Sequence, residues 1–183
     1  MRVITGTAKG RKLISPIGLD TRPTQDKVKE GIFSAIQFDI EGRRILDLFA
    51  GSGQLGIEAL SRGADSCIFI DSSNLAINAI KENLKNCNLI ENSTVIKTDA
   101  NSFIATNNNI DDIVFLDPPY KSGLIVEMIE KLNKNLSDYA ILICEHSADI
   151  LLPDEINGFY AHKKYRYGKT AATIFRRKEN SNE

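Results

Sequence analysis

Asp117-Pro118-Pro119-Tyr120 sets a carboxylate, two rigid residues and an aromatic ring directly after an apolar run, Ile113-Val114-Phe115-Leu116. The run reads as a buried strand, so the tetrapeptide falls where a strand stops. Ligands of open α/β sheets bind at that edge, outside the carboxyl ends of the strands. Adjacent prolines lack N–H groups and hold φ near about −65°, which fixes their carbonyls in space. An acceptor side chain, a fixed acceptor carbonyl and a ring for stacking suit a planar group bearing an NH2. The plainer reading is a Pro-terminated strand with a surface tyrosine.

A second constellation lies upstream. Gly51-Ser52-Gly53-Gln54-Leu55-Gly56 fits G-x-G-x-x-G after the strand-like Ile45-Leu46-Asp47-Leu48-Phe49 and before a helical run at 57–62, and Asp71 lies 20 residues beyond Gly51. Glycines permit the tight turn and close backbone approach, and an acid at that distance suits ribose hydroxyls. A nucleoside-bearing cofactor follows, with NAD(H), FAD and S-adenosylmethionine all still open. Asp47, inside the first strand, is costly without a partner. The ammonium or sulfonium end of adenosylmethionine would be one, whereas a pyrophosphate would be repelled. Asp99 ends a third strand next to Ala100, placed to accept from an adenine NH2 with Phe103 as an apolar wall. The alternatives are local: Asp47 caps backbone groups, and Asp99 N-caps a helix at 101–105.

These residues need a frame. Residues 2–15 read as a short hairpin with basic Arg2, Lys9, Arg11 and Lys12. A helix follows Arg22-Pro23-Thr24, with Thr24 as N-cap and Val28, Ile32, Phe33 and Ile36 on one face. Gly31 within it costs about 1 kcal/mol against Ala, and close packing is its only sequence-level reason. From residue 45 strands and helices alternate, which gives βαβ units and a mostly parallel sheet with helices on both faces. The end differs: 159–167 and 170–175 are β-like and separated only by Gly168-Lys169, so an antiparallel hairpin is expected. The chain reads as one domain, 1–183, with an extension at 1–44 and a core at 45–183.

Composition bounds the classes. Hydrophobic content of 42% and charged content of 26% fit a globular protein. No apolar run approaches the roughly 20 residues that span a bilayer, and the N-terminus has no secretory h-region. No membrane association and a cytoplasmic setting are expected. Cys67, Cys87 and Cys144 are scattered without a Cys-x-x-Cys, which argues against disulfides and zinc. Net charge is −1, but it is unevenly spread. Residues 1–44 hold 9 Lys/Arg against 5 Asp/Glu, 45–158 hold 7 against 17, and 159–178 hold 7 against none. Basic ends around an acidic middle suggest a polyanion surface flanking a catalytic body. Lys9, Arg11, Lys12 and Arg22 at one end, and Lys163, Lys164, Arg166 and Lys169 at the other, are the candidate phosphate contacts. Tyr165 and Tyr167 stack on bases or pack the hairpin. His146 reads as structural.

Asp47-Leu48-Phe49-Ala50-Gly51-Ser52-Gly53 resembles the cofactor loop of class I S-adenosylmethionine-dependent methyltransferases, and Asp117-Pro118-Pro119-Tyr120 resembles the signature of those that methylate exocyclic amines of bases. Nearly end to end, the chain resembles the bacterial 16S rRNA (guanine-N2)-methyltransferase family. Gly10-Arg11-Lys12-Leu13, Arg22-Pro23-Thr24, Phe49–Gly53 with Leu55–Ala64, Asp99-Ala100, the Asp117–Tyr120 tetrapeptide and Tyr165-Arg166-Tyr167-Gly168 carry the likeness. The resemblance implies a Rossmann-like fold with a seven-stranded, mostly parallel sheet, S-adenosylmethionine as cofactor and no metal. It also implies small-subunit rRNA, or the assembling small subunit, as partner, and a monomer. On this resemblance the target guanine would be flipped out, Tyr120 would stack on it, and Asp117 and the Pro118 carbonyl would accept from its N2. Arg22, Thr24, Asp47, Phe49, Ala50, Gly51, Gly53, Asp71, Asp99 and Ala100 would line the cofactor.

Overall fold

A computed structural model describes residues 1–16, 26–107, 111–119, 122–132 and 135–177. Its elements run α1 (Asp26–Ala35), β1 (Arg44–Leu48), α2 (Gln54–Ser61), β2 (Ser66–Asp71), α3 (Asn74–Cys87), β3 (Ser93–Lys97), α4 (Ala100–Thr106), β4 (Asp111–Leu116), α5 (Ser122–Leu132), β5 (Leu136–Ser147), β6 (Glu155–Ile156), β7 (Phe159–Tyr167) and β8 (Thr170–Arg177). The strands form one sheet in the order β3-β2-β1-β4-β5-β8-β7-β6.

From β3 to β5 every pairing is parallel, and β8 then joins β5 antiparallel. The expected terminal hairpin is therefore present as β7 and β8, and it completes the far edge of β5. Among the described residues the sheet has eight strands rather than seven. The additional one, β6, is a two-residue strand against β7, too short to carry a period of two in sequence. The N-terminal hairpin is reduced to an isolated Arg2–Lys12 bridge. Around it the Val3 N–H donates to the Arg11 carbonyl at 2.9 Å and the Gly10 N–H to the Val3 carbonyl at 2.9 Å.

Two apolar clusters sandwich the sheet, as alternation along buried strands requires. Ile45, Phe69, Ile113, Phe115, Ile141, Ile143 and Ile174 face α1, α2 and α3. Leu46, Leu48, Val114, Leu116, Leu142 and Phe175 face α4 and α5. Cys67, Cys87 and Cys144 are free and buried, small hydrophobes in this setting.

The N-terminal segment is fastened to α2 through polar groups that periodicity does not reveal. Glu58, fully buried, accepts from the Ile4 N–H at 2.8 Å and the Thr5 N–H at 3.0 Å. Its carboxylate also pairs with Lys29 at 3.3 Å and Arg62 at 2.9 Å. Lys29, equally buried on α1, donates to the Arg2 carbonyl at 2.6 Å. Ser61 donates to the Thr5 carbonyl and accepts from the Ala8 N–H. Each buried polar atom here has a partner, as burial demands. Gly31 also finds its reason: a Cβ there would lie 1.8 Å from the Tyr167 hydroxyl oxygen, so only glycine lets α1 settle on β7.

Candidate active site

The strand register brings the chemistry to one edge. Leu48 is level with Ile70 on one side and Leu116 on the other, and Leu116 is level with Cys144. One residue further along each strand come Phe49, Asp71, Asp117 and Glu145. These are the carboxyl ends of β1, β2 and β4 and the matching level of β5, where an open parallel sheet binds its ligands.

At β1 the chain leaves the sheet through a left-handed turn. Phe49 has φ 64°, Gly51 56° and Gly53 75°. For a bulky residue such as Phe49 this conformation is strained, and it sits where Asp47-to-Gly53 was expected to hold a cofactor. Above Gly51 the space is open: a Cβ would meet nothing nearer than the Phe49 carbonyl oxygen at 4.0 Å. α2 begins at Gln54, so Gly56 lies inside the helix rather than in the loop. There a Cβ would strike the Phe69 ring at 2.4 Å, which is the close helix–strand packing that a third glycine permits.

Asp47 is 2% exposed and accepts from the Gly56 N–H at 3.0 Å. It thus caps α2 from a neighbouring strand, in place of the side-chain cap that Gly53 cannot supply. Burial raises its carboxyl to about 8, partly offset by the Gly56 N–H, with the Asp71 charge adding to the rise. Asp71 accepts from the Gly51 N–H at 2.9 Å and the Ser73 N–H at 2.8 Å, which ties the loop after β1 to the turn after β2. Asp99, exposed beyond β3, accepts from the Ser102 N–H at 2.9 Å and N-caps α4, and the Ser102 hydrogen bond lowers its carboxyl. The local alternatives for Asp47 and Asp99 therefore both hold as contacts; neither excludes a ligand on the remaining lone pairs.

Asp117 is half-buried and Pro118 buried. The Asp117 carboxyl is pushed well above the usual carboxylate range, first by burial, then by the charge of Glu145, then by that of Asp47. Glu145, 8% exposed on β5, had not been expected in the site. Its signal in the sequence was only a carboxylate inside an apolar run, the same signal that had exposed Asp47. Asn83 was also missed: buried on α3, it donates to the Ser52 carbonyl at 2.9 Å and the Ile14 carbonyl at 3.0 Å, and accepts from the Ile14 N–H at 2.8 Å. It joins the glycine loop to the N-terminal segment. Arg22, Thr24 and Tyr120 lie outside the described residues.

This donor set favours one kind of cofactor. Carboxyl groups at the ends of β1, β2 and β4, around an open left-handed turn, suit a cationic nucleoside with hydroxyls. A positive charge favours their ionised form, whereas a pyrophosphate would oppose it.

A family model described as conserved hypothetical protein 95 matches residues 1–176. The chain belongs to that family. It is 40% identical to the Bacillus subtilis (strain 168) protein named "Putative rRNA methyltransferase YlbH", across 97% of this chain and 100% of that protein. It is 35% identical to "Ribosomal RNA small subunit methyltransferase D" of Escherichia coli (strain K12), across 97% and 90%. Among solved structures, "Putative methyltransferase yhhF" from Escherichia coli superposes with a TM-score of 0.86 at 35% identity, covering 97% of this chain and 98% of that one. The family fold is thus the class I methyltransferase fold that the resemblance implied, and its parallel strands are those expected from the alternation of strands and helices.

The basic residues lie on two segments of the chain. Lys9, Arg11 and Lys12 are exposed on the N-terminal segment, and Lys163, Lys164, Arg166 and Lys169 on the terminal hairpin. Tyr165 and Tyr167 stack on each other, centroids 6.3 Å apart, and pack against the cluster under α1. Strand alternation puts Lys163 on their face and Lys164 and Arg166 on the other. Lys164 pairs with Asp154 at 2.6 Å. His146 is structural as expected: its ring nitrogens meet the Ser147 carbonyl and the Thr173 hydroxyl, each at 2.9 Å.

Proposed function

We propose that the protein transfers a methyl group from S-adenosylmethionine to the exocyclic N2 of a guanine in small-subunit rRNA. The observation that carries this reading is the meeting of Asp117-Pro118 with Asp47 and Asp71 at one sheet edge, in a chain aligned over almost its whole length with proteins named for rRNA methylation.

Bound S-adenosylmethionine supplies an electrophilic methyl on a positively charged sulfur. Asp71 is placed for the ribose hydroxyls, Asp47 for the cationic end, and Asp99 with Ala100 for the adenine. Phe49, Ala50, Gly51 and Gly53 form the turn that lets the nucleoside approach the backbone. Arg22 and Thr24 are assigned to the same cofactor from the motif alone. On the substrate side, Asp117 and the Pro118 carbonyl accept from the guanine N2–H groups and turn the nitrogen lone pair towards the methyl. Tyr120 is the stacking ring by motif. As the N–C bond forms, the C–S bond breaks and its electron pair stays on sulfur, leaving neutral S-adenosylhomocysteine. The surplus N2 proton passes to Asp117. A carboxyl raised by burial and by two neighbouring acids is a stronger base than an ordinary aspartate once ionised, and the positive charge of the bound methyl donor favours that ionised form. Conjugation makes N2 a poor nucleophile, so positioning supplies most of the acceleration.

Lys9, Arg11, Lys12, Arg22, Lys163, Lys164, Arg166 and Lys169 are the proposed phosphate contacts, which set register without reading sequence. We take the protein to act as a single-domain cytoplasmic monomer on rRNA or the assembling small subunit. No helix among the described residues is long and apolar enough to cross a membrane.

The test is methyl transfer from radiolabelled S-adenosylmethionine to small-subunit rRNA, with the product mapped by mass spectrometry. N2-methylguanosine is expected with wild type, and a loss of at least about 100-fold with Asp117→Ala. Undiminished transfer by a folded Asp117→Ala protein would sink the mechanism, and a different modified base would sink the substrate.

A further inference from the structure

Asp117 and the Pro118 carbonyl account for the N2 group of a guanine but not for its neighbour on the same edge, the N1–H. Adenine presents the opposite there: a lone pair at N1 beside an amino group. An acceptor for an exocyclic amine does not by itself tell the two apart. We propose that Glu145 reads the N1–H and so sets guanine against adenine, an inference that rests on the guanine-N2 reading above and deepens it.

Three observations place Glu145 for this role. The β4–β5 register ends with Leu116 level with Cys144, and Asp117, the residue just past β4, is held extended by the proline that follows it, which sets it beside Glu145 of β5, about 4.8 Å away in backbone. Alternation carries both side chains to one face, since Phe115 and Ile143 both belong to the cluster beneath α1 and α2. The two carboxyl groups also feel each other: after burial, the Glu145 charge is the largest influence on Asp117. Two acceptors side by side match two donors side by side, and a flipped base is read along that edge. Against adenine, the Glu145 carboxylate faces the N1 lone pair and repels it, so discrimination comes from a clash as well as a contact.

The experiment uses rRNA fragments with guanine or 2-aminopurine at the mapped target. 2-Aminopurine keeps the amino group at C2 but has a bare N1. Wild type is expected to favour guanine by at least about 100-fold in kcat/KM, because the base loses a partner and gains a repulsion. The Glu145→Gln exchange supplies an amide that can accept from N1–H or donate to a bare N1. It is expected to narrow that preference at least about tenfold while the melting temperature holds. A wild-type enzyme that methylates both fragments equally overturns the proposal without need of the variant, and so does a folded Glu145→Gln enzyme that keeps the wild-type ratio. Transfer by wild type to neither fragment, with another base methylated in whole rRNA, overturns the guanine reading itself.

Discussion

The Tyr167 hydroxyl occupies the place where a side chain on Gly31 would begin, 1.8 Å from the ideal Cβ position. Helix propensity favours Ala over Gly by about 1 kcal/mol, while forcing an atom into a packed contact costs about 1–3 kcal/mol. The ring cannot move away freely, because it is stacked on Tyr165. Gly31→Ala is therefore expected to destabilise the protein by about 1 kcal/mol or more, measured by urea unfolding. Tyr167→Phe should recover part of that loss in a double-mutant cycle. A stabilised Gly31→Ala protein would show that propensity, not packing, governs the position.

Glu58 and Lys29 form a fully buried ion pair. Burial lowers the Lys29 ammonium, and the Glu58 charge works against that fall. Removing one charge from such a pair costs about 3–5 kcal/mol. Glu58→Gln should lose an amount of that order and loosen residues 1–8, visible as faster amide exchange at Ile4 and Thr5. Pairing Glu58→Gln with Lys29→Met should be milder than Glu58→Gln alone.

Asp47 makes stability depend on pH. Its carboxyl stands at about 8 in the folded chain against about 3.9 unfolded. The folded state therefore holds the extra proton, and that stabilisation is complete below about 4 and lost as pH rises through 8. Wild-type melting temperature should fall between pH 5 and pH 8.5. Asp47→Asn, which still offers an oxygen to the Gly56 N–H, should flatten the profile and melt higher at pH 8.5 by a few degrees, at about 2–4 °C per kcal/mol. Under the proposed function, cofactor binding at pH 7 should release protons as its positive end ionises Asp47, seen by calorimetry in buffers of different ionisation enthalpy.

Phosphate contacts carry a salt signature. Lys163→Gln and Lys169→Gln should each reduce the slope of log affinity against log salt by about 1. Lys164→Gln should change it less, since Asp154 already neutralises that charge at 2.6 Å. Equal effects at the three positions would argue that the Asp154 pair opens on RNA.

What sequence revealed was what is periodic or local. Apolar runs located β1, β2, β4 and β5, and glycine spacing with Asp71 located the loop, because strand ends and turns obey short-range rules. Carboxylates inside apolar runs flagged Asp47, and the same cue applied to Glu145 would have found it. The rest depends on contacts distant in the chain. Asn83 meets Ile14 across 69 residues, Glu58 meets Ile4 across 54, and Gly31 is explained by Tyr167. Nothing within a helical window of those positions encodes such partners.

The order of strands has a consequence for synthesis. β5 runs through the middle of the sheet, yet its partner on one side, β8, is Thr170–Arg177. While the ribosome is still making those residues, the row from Ile141 to Ser147 that β8 will pair with is an open sheet edge in an apolar strand, a template for pairing with other chains. The β7–β8 hairpin therefore acts as a stopper that arrives after the strands it protects. A chain cut short before Thr170 should be lost to aggregation even though every proposed catalytic residue has already been made.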